Sequence, residues 1–129
     1  MALTDTDVPG KKSSSRSVGS KYEAYAAAYL ESLGYRLIAR NFRCRSGEID
    51  LIASDEGVLV FAEVKYRADD RRGGPFAAVN YHKQAQISRT ALYYLMTHGL
   101  SADTPCRFDV VGITGKKIEL IKDAFPFRR

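Results

Sequence analysis

Two acidic residues and a lysine have a spacing that suits the hydrolysis of phosphodiester bonds. Asp50 lies in a short apolar segment, and Glu63 and Lys65 flank Val64 further along the chain. Carboxylates can hold Mg²⁺ through oxygen ligands, and the cation lowers the pKa of a water and neutralises phosphate charge. A lysine beside them can position or deprotonate the attacking water. The pattern predicts a hydrolase with catalytic Asp50, Glu63 and Lys65, and with Mg²⁺, or Mn²⁺ in its place, as cofactor.

The strands predicted to carry these residues have apolar side chains on the same faces. Because side chains alternate along a strand, three sets are predicted to share a face: Glu48, Asp50 and Ile52; Ile49, Leu51 and Ala53; and Leu59, Phe61, Glu63 and Lys65. An ionised carboxylate among apolar neighbours is costly to bury, so a cation is a natural partner. The alternative is a cross-strand salt bridge on a solvated face. The apolar companions favour the metal site.

Periodicity and turn residues predict seven elements in the order αβββαββ. Ser20 and Glu23 match a capping box, which predicts the start of a helix that ends at Gly34. The second helix has a predicted buried stripe of Ile87, Ala91, Tyr94 and Leu95. Strands are predicted at 35–40, 48–53, 58–67, 107–113 and 117–122, and the second helix at 77–98. The fold class is therefore α/β with a mixed sheet flanked by helices.

Further polar residues could extend the site. Glu23 is explained by the capping box, yet it also lies one turn before the buried stripe of its helix, where substrate or metal could sit. Glu48 shares the predicted face of Asp50 and is either another metal ligand or a solvated residue. Lys83, four residues before Ile87, is a candidate for contact with a nucleic-acid phosphate, and Gln86 and Arg89 are weaker ones.

A basic, glycine-rich stretch follows the third strand. Arg67, Arg71 and Arg72 could bind DNA phosphates from a mobile loop over residues 67–74. Asp69 and Asp70 dilute this charge, so an ordinary flexible connection is the alternative. Near the C-terminus, Arg107 and Asp109 share a strand face and are expected to pair for structural reasons.

Composition limits the classes of protein to consider. The 129 residues suit one domain over 18–129, and residues 1–17, rich in serine and basic residues, are predicted to be a disordered tail. The net charge of +5 favours polyanionic partners. The sequence has neither a secretory signal nor an apolar run of roughly 20 residues that could span a membrane, so a cytoplasmic location is expected.

Several segments together resemble the YraN-like family of bacterial proteins. They are GEIDLIA at 47–53, FAEVKYR at 61–67, RFDVV at 107–111, NFR at 41–43 and AF at 124–125. The resemblance covers about residues 19–125. The family is similar to archaeal Holliday-junction resolvases and to PD-(D/E)XK nucleases, which implies a restriction-endonuclease-like fold.

The resemblance also implies roles for particular residues. Asp50 and Glu63 would bind metal with the Val64 carbonyl as a further ligand, and Lys65 would stand at the attacking water. Glu23 matches a position where resolvase-like proteins carry an extra acidic residue. Ile49 replaces the proline that gives the nuclease motif its name, as in many members.

The resulting hypothesis is a metal-dependent endonuclease acting on DNA, including branched or structured forms. By analogy with resolvases, whose junction substrates have two symmetric cleavage points, a homodimer is expected. The first alternative is a non-catalytic nucleic-acid-binding module on a nuclease scaffold. The second is an interaction protein whose acidic pocket binds a basic segment of a partner.

Overall fold

The computed structural model describes residues 15–128 as five strands in one sheet with two helices. The helices are α1 (Ser15–Ser32) and α2 (Tyr81–Thr97). The strands are β1 (Arg36–Cys44), β2 (Gly47–Asp55), β3 (Val58–Arg67), β4 (Cys106–Thr114) and β5 (Lys117–Phe125). The predicted order αβββαββ is confirmed. Neither helix in this part of the chain has the length and apolar character needed to cross a membrane.

The sheet is mixed, and its strands follow chain order from β1 to β5. Neighbouring strands are antiparallel except β3 and β4, which are parallel. A parallel pair needs a crossover connection, and the segment containing α2 provides it. The two apolar clusters, one including residues of α1 and the other residues of α2, cover opposite faces of the sheet. This arrangement is consistent with a restriction-endonuclease-like α/β core.

Helix α1 begins earlier than the sequence predicts. It starts at Ser15, so Ser20 lies inside the helix and the predicted capping box is wrong. No proline precedes Ser20, and Gly19 alone does not stop a helix because it costs only about 1 kcal/mol relative to alanine. Residues 15–17 of the predicted tail belong to α1, and residues 1–14 lie outside the described residues. The end at Gly34 is confirmed by its positive φ of 97°.

Helix α2 begins later than predicted, at Tyr81. Phe76–Ala78 form a separate 3-10 turn, and the Asn80 side chain caps α2 by accepting a 2.9 Å hydrogen bond from the backbone N–H of Lys83. The predicted buried stripe of Ile87, Ala91, Tyr94 and Leu95 is confirmed. It packs against the sheet face that includes Phe61 of β3.

Strands β1 and β2 bend together where they pass Asp50. Their register places Asn41 opposite Asp50, and Asn41 has a left-handed φ of 55°. The ladder between β2 and β3 extends from Asp55 back to Leu51. Asp50, the residue that precedes Leu51 in β2, therefore has no ladder partner in β3. Ile49 packs in the same cluster as Ile52, so the strict alternation predicted for Ile49 is wrong. The bend frees Asp50 from regular pairing with β3.

Candidate metal and catalytic site

The carboxylates of Asp50 and Glu63 meet where β2 leaves β3. The backbone N–H of Val64 donates a 2.8 Å hydrogen bond to Oδ2 of Asp50, which takes the place of the lost ladder bond. The carboxylate of Glu63 lies close enough to that of Asp50 for its charge to raise the pKa of Asp50. Glu63 is buried, with 4% of its surface exposed. The two acids predicted from the sequence therefore lie together, with Glu63 buried and Asp50 partly buried.

Two lysines converge on Glu63. Lys65 Nζ lies 3.2 Å from Oε2 of Glu63, and Lys83 Nζ, from α2, lies 3.6 Å from the same oxygen. The lysine side chains are 26% and 30% exposed, so both ammonium groups remain accessible from solvent. Lys83 was predicted only as a phosphate contact. The position of α2 over this face of the sheet also brings it into the same cluster as Lys65.

A third and a fourth carboxylate approach Asp50 from the other side. Glu23, Glu48 and Asp50 each have a carboxylate oxygen within 4.8 Å of those of the other two. Among residues 15–128, Oε1 of Glu23 is buried without a hydrogen-bond partner. Glu48 is 34% exposed and pairs with Arg43 at 3.4 Å. Glu23 thus faces the acidic cluster rather than capping its helix, and Glu48 belongs to the same cluster.

The cluster disfavours negative charge in the metal-free chain. Burial raises the pKa of Asp50 to about 8, and the charges of Glu63 and Glu23 add to this rise against the hydrogen bond from Val64. Burial also raises the pKa of Glu23, opposed by a hydrogen bond with Asn41 and reinforced by the charge of Glu48. A cation among these oxygens would reverse this preference and favour the ionised carboxylates.

Asp50 belongs to two sets of oxygens that could hold a metal. One set is Asp50 with Glu63, and the Val64 carbonyl predicted from the resemblance would extend it. The other set is Asp50 with Glu23 and Glu48, which lie close enough to share one ion. Both sets offer only oxygen ligands, which suit Mg²⁺ or Mn²⁺ better than softer transition metals. The orphaned Glu23 oxygen is the clearest sign that the cluster accepts a ligand.

The remaining predicted residues lie outside this cluster. Gln86 packs against the turn between β1 and β2, because a Cβ built at Gly47 would lie 3.0 Å from its side chain. Arg89 is exposed on α2. Arg67, Arg71 and Arg72 line a separate cleft of about 450 Å³. The loop that carries Arg71 and Arg72 contains a 3-10 turn.

Asn41 is the residue of this site that the sequence did not single out. Its side chain hydrogen-bonds the Glu23 carboxylate, and its left-handed backbone lies opposite Asp50. Asparagine adopts this conformation more readily than most residues. Asn41 is the first residue of the NFR segment that contributes to the family resemblance. The sequence therefore marked this position, but it gave no chemical role for the asparagine.

A second buried carboxylate, Asp109 on β4, has quite different surroundings. We call Tyr35, Asp55, Arg107 and Asp109 the Asp109 network. Arg107 Nε donates to Oδ1 of Asp109 at 3.0 Å, and the Tyr35 hydroxyl donates to Oδ2 at 2.8 Å. The backbone N–H of Asp123 donates to Oδ1 at 2.9 Å, and Arg107 also reaches Asp55 at 2.8 Å. The predicted structural pairing of Arg107 with Asp109 is confirmed.

Comparison with known proteins identifies the family. Residues 22–113 match the model of Uncharacterised protein family UPF0102. A UPF0102 protein of Symbiobacterium thermophilum is 53% identical over 116 residues, covering 86% of this chain and 98% of the relative. One from Lachnoclostridium phytofermentans is 50% identical over 107 residues, covering 83% and 91%. One from Nitrosomonas europaea is 45% identical over 116 residues, covering 88% and 97%. The chain therefore belongs to the UPF0102 family, the YraN-like family that its motifs resemble.

Proposed function

We propose that this protein is a metal-dependent endonuclease that hydrolyses phosphodiester bonds in DNA. The observation that carries the proposal is the position of Asp50. Its carboxylate is influenced by the charge of Glu63, which pairs with two lysines, and it has an oxygen within 4.8 Å of carboxylate oxygens of Glu23 and Glu48. Acids and ammonium groups that meet at one partly open cluster are what phosphodiester hydrolysis requires.

The residues present fit Mg²⁺ or Mn²⁺. Three carboxylates share a volume small enough for one ion, one of their oxygens is buried without a partner, and the pKa of Asp50 is raised by burial and like charges. Asp50, Glu63, Glu23 and Glu48 would supply the ligands, with the Val64 carbonyl as a further candidate. A divalent cation bound there would lower the pKa of a water and neutralise charge on the phosphate.

The chain's own groups perform the remaining tasks. Lys65, 3.2 Å from Glu63 and partly exposed, would orient the attacking water and stabilise the charge that develops on the phosphate. Lys83 brings a second ammonium to the same carboxylate from α2 and would hold a phosphate oxygen. The Val64 N–H keeps Asp50 in place at the bend of β2.

The choice of DNA and of branched forms rests on other observations. The net charge of +5 favours a polyanion. The similarity of the family to Holliday-junction resolvases favours branched or otherwise structured DNA, and also a homodimer that presents two sites to one junction. A non-catalytic DNA-binding module would have no use for four carboxylates close to phosphate, because without a metal they would repel it.

The test is a cleavage assay on linear duplex, single-stranded and four-way DNA, with Mg²⁺, Mn²⁺ or excess chelator. We expect cleavage with either metal, none in chelator, and a preference for the branched substrate. Cleavage of equal rate in chelator would contradict the proposal. Tight DNA binding without cleavage in any metal would instead support the non-catalytic alternative.

A further inference from the structure

Three arginines surround a second cleft near the candidate catalytic site. The cleft has a volume of about 450 Å³, and its lining includes Arg67, Arg71, Arg72, Gly74, Ala77 and Ala78. Arg67 lies two residues after Lys65 on β3. At about 3.3 Å per residue, with alternating side chains, the Arg67 side chain emerges roughly 7 Å from that of Lys65 on the same face. A strand lying at Lys65 would therefore extend into the cleft.

Only one of the three arginines has an ion pair among the described residues, and its partner Asp69 also lines the cleft. Arg71 pairs with Asp69 at 3.2 Å, but these side chains are 88% and 50% exposed, and such surface pairs contribute little. Arg67 donates to the Tyr66 carbonyl at 2.7 Å through one of its nitrogens. Within residues 15–128 the Arg72 side chain makes no hydrogen bond or ion pair. Guanidinium groups with free N–H donors bind phosphate oxygens, often in bidentate fashion.

The walls of the cleft are held by packing. Pro75 and Phe76 lie so close to β4 that a Cβ at Gly112 would come within 2.9 Å of Pro75 Cγ and 2.7 Å of Phe76 Cζ. At Gly73, a Cβ would lie 2.7 Å from Ala77 Cβ. The N–H of Gly115 donates to the Arg67 carbonyl at 3.1 Å, which ties the end of β3 to the β4–β5 turn. The cleft is thus preformed.

We propose that this arginine cleft binds a phosphate of a nucleic-acid strand together with its nucleoside, next to the catalytic site. The volume lies within the range of small-molecule sites, and the small residues of the lining leave room for a sugar or base beside the phosphate. The bound nucleotide would fix which phosphodiester of the strand reaches Lys65. This inference rests on the proposed function for its catalytic meaning, but the binding itself does not require catalysis.

The phosphate could come from two sources, an internal phosphodiester of a continuous strand or a terminal phosphate at a strand end. Binding in excess chelator separates them without cleavage. Fluorescence anisotropy would compare single-stranded probes of one sequence with a 5′-phosphate, a 3′-phosphate or hydroxyl ends. The variants are Arg72→Gln, the double variant Arg67→Gln/Arg72→Gln, and the matched control Arg36→Gln at the opposite end of the sheet.

We expect the double variant to bind at least tenfold more weakly than the wild-type chain, and the control to bind like it. The slope of log affinity against log salt should fall by about 0.7 for each arginine removed, a change that a purely structural role would not produce. Arg72→Gln removes no hydrogen bond or ion pair among the described residues, so a loss of affinity in this variant with an unchanged free energy of unfolding would be a loss of phosphate binding. A terminal source predicts tighter binding of one phosphorylated probe, with the gain lost in the double variant.

Unchanged affinity and salt slope in the double variant would contradict the proposal that the arginine cleft binds nucleic acid. Failure of the wild-type chain to bind any probe would contradict it as well. These outcomes are distinct from failure of the proposed function. If the wild-type chain never cleaves DNA but the arginine variants bind the probes more weakly, the cleft binds nucleic acid and the proposed nuclease activity is wrong. If the wild-type chain cleaves DNA and the arginine variants bind the probes equally well, the protein is a nuclease and the proposed role of the cleft is wrong.

Discussion

The sheet carries two acidic centres, one around Asp109 and one around Asp50, and they differ in how their carboxylates are paired. Asp109 is fully buried, and its oxygens accept hydrogen bonds from Arg107, Tyr35 and the Asp123 backbone. Asp50 has one backbone donor and faces Glu63, Glu23 and Glu48. Buried charges are normally paired. The Asp109 network follows this rule. In the Asp50 cluster, Lys65 and Lys83 pair with Glu63, but no ion pair among residues 15–128 reaches Asp50.

The direction of the pKa shifts expresses the same difference. Hydrogen bonding to Arg107 lowers the pKa of Asp55, so the Asp109 network favours the ionised form of Asp55. Burial and neighbouring acids raise the pKa of Asp50 to about 8. One centre is therefore fully paired in the folded chain, and the other is strained by burial and by the mutual repulsion of its acids. Strain of this kind is typical of functional sites.

The largest expected effect concerns catalysis. Asp50→Asn or Lys65→Ala should lower the rate of DNA cleavage on the order of 10³-fold or more, at least about 4 kcal/mol, because each removes a group that acts on the reacting phosphate. Asp55→Asn, at the far end of the same strand, is the matched control and should cleave at the wild-type rate per folded molecule. Rates would be measured at saturating Mn²⁺. Equal losses of rate in all three variants would show that the Asp50 cluster has no special role in catalysis.

The next effect reverses the roles of the centres. Asp109→Asn should destabilise the fold by about 3 kcal/mol, because it breaks the ion pair of a fully buried carboxylate and turns an amide N–H₂ toward groups that donate hydrogen bonds. Asp50→Asn should not destabilise the metal-free chain, since it removes a repelled charge. Urea unfolding in chelator measures both. A loss of stability in Asp50→Asn as large as that in Asp109→Asn would show that both centres are structural.

A milder change probes the network further. Tyr35→Phe removes the hydroxyl that donates to Asp109 and accepts from Arg107, and should cost about 1.5–3 kcal/mol because the bond involves a charged group. Burial and the charge of Asp109 hold the pKa of Tyr35 well above its usual range, so the hydroxyl stays a donor at neutral pH. The free energy of unfolding would be measured in urea. A value equal to that of the wild type would mean that the network tolerates the loss of this hydrogen bond.

The smallest effect, taken per pH unit, is a pH dependence. The unfolded chain loses the Asp50 proton near pH 3.8, and the folded chain retains it until about pH 8. The folded state therefore binds more protons within this window, and its stability in chelator falls as pH rises. The fall cannot exceed about 1.4 kcal/mol per pH unit for one proton. Asp50→Asn should flatten the profile measured by urea unfolding from pH 5 to 8, and a wild-type profile that rises faster than the variant's would contradict the assignment.

The sequence predicted what depends on neighbouring segments. Strand β3 and its turn from β2 followed from the Glu56-Gly57 pair, because both residues take positive φ there. The meeting of Asp50 with Glu63 followed from that hairpin. The start of α1 was missed because local capping signals do not exclude an earlier start.

What the sequence could not predict depends on contacts between distant segments. Lys83 reaches Glu63 only because α2 lies over this face of the sheet, and the alternation of side chains along the strands does not predict where α2 lies. Tyr35 and Asp109 are 74 residues apart in the chain. The bend at Asn41 and Asp50 breaks the two-residue period on which the predicted faces depended. Each of these is a tertiary arrangement without a local signal.

The most direct test of the central claim is calorimetric titration of Mn²⁺ into the wild-type chain and Asp50→Asn at pH 7.5. The Asp50 cluster should bind the ion, and Asp50→Asn should weaken binding by about 100-fold, since it removes the one carboxylate common to both oxygen sets. Asp55→Asn should bind Mn²⁺ like the wild type. Equal binding by the wild type and Asp50→Asn, or no binding by the folded wild-type chain, would contradict the account.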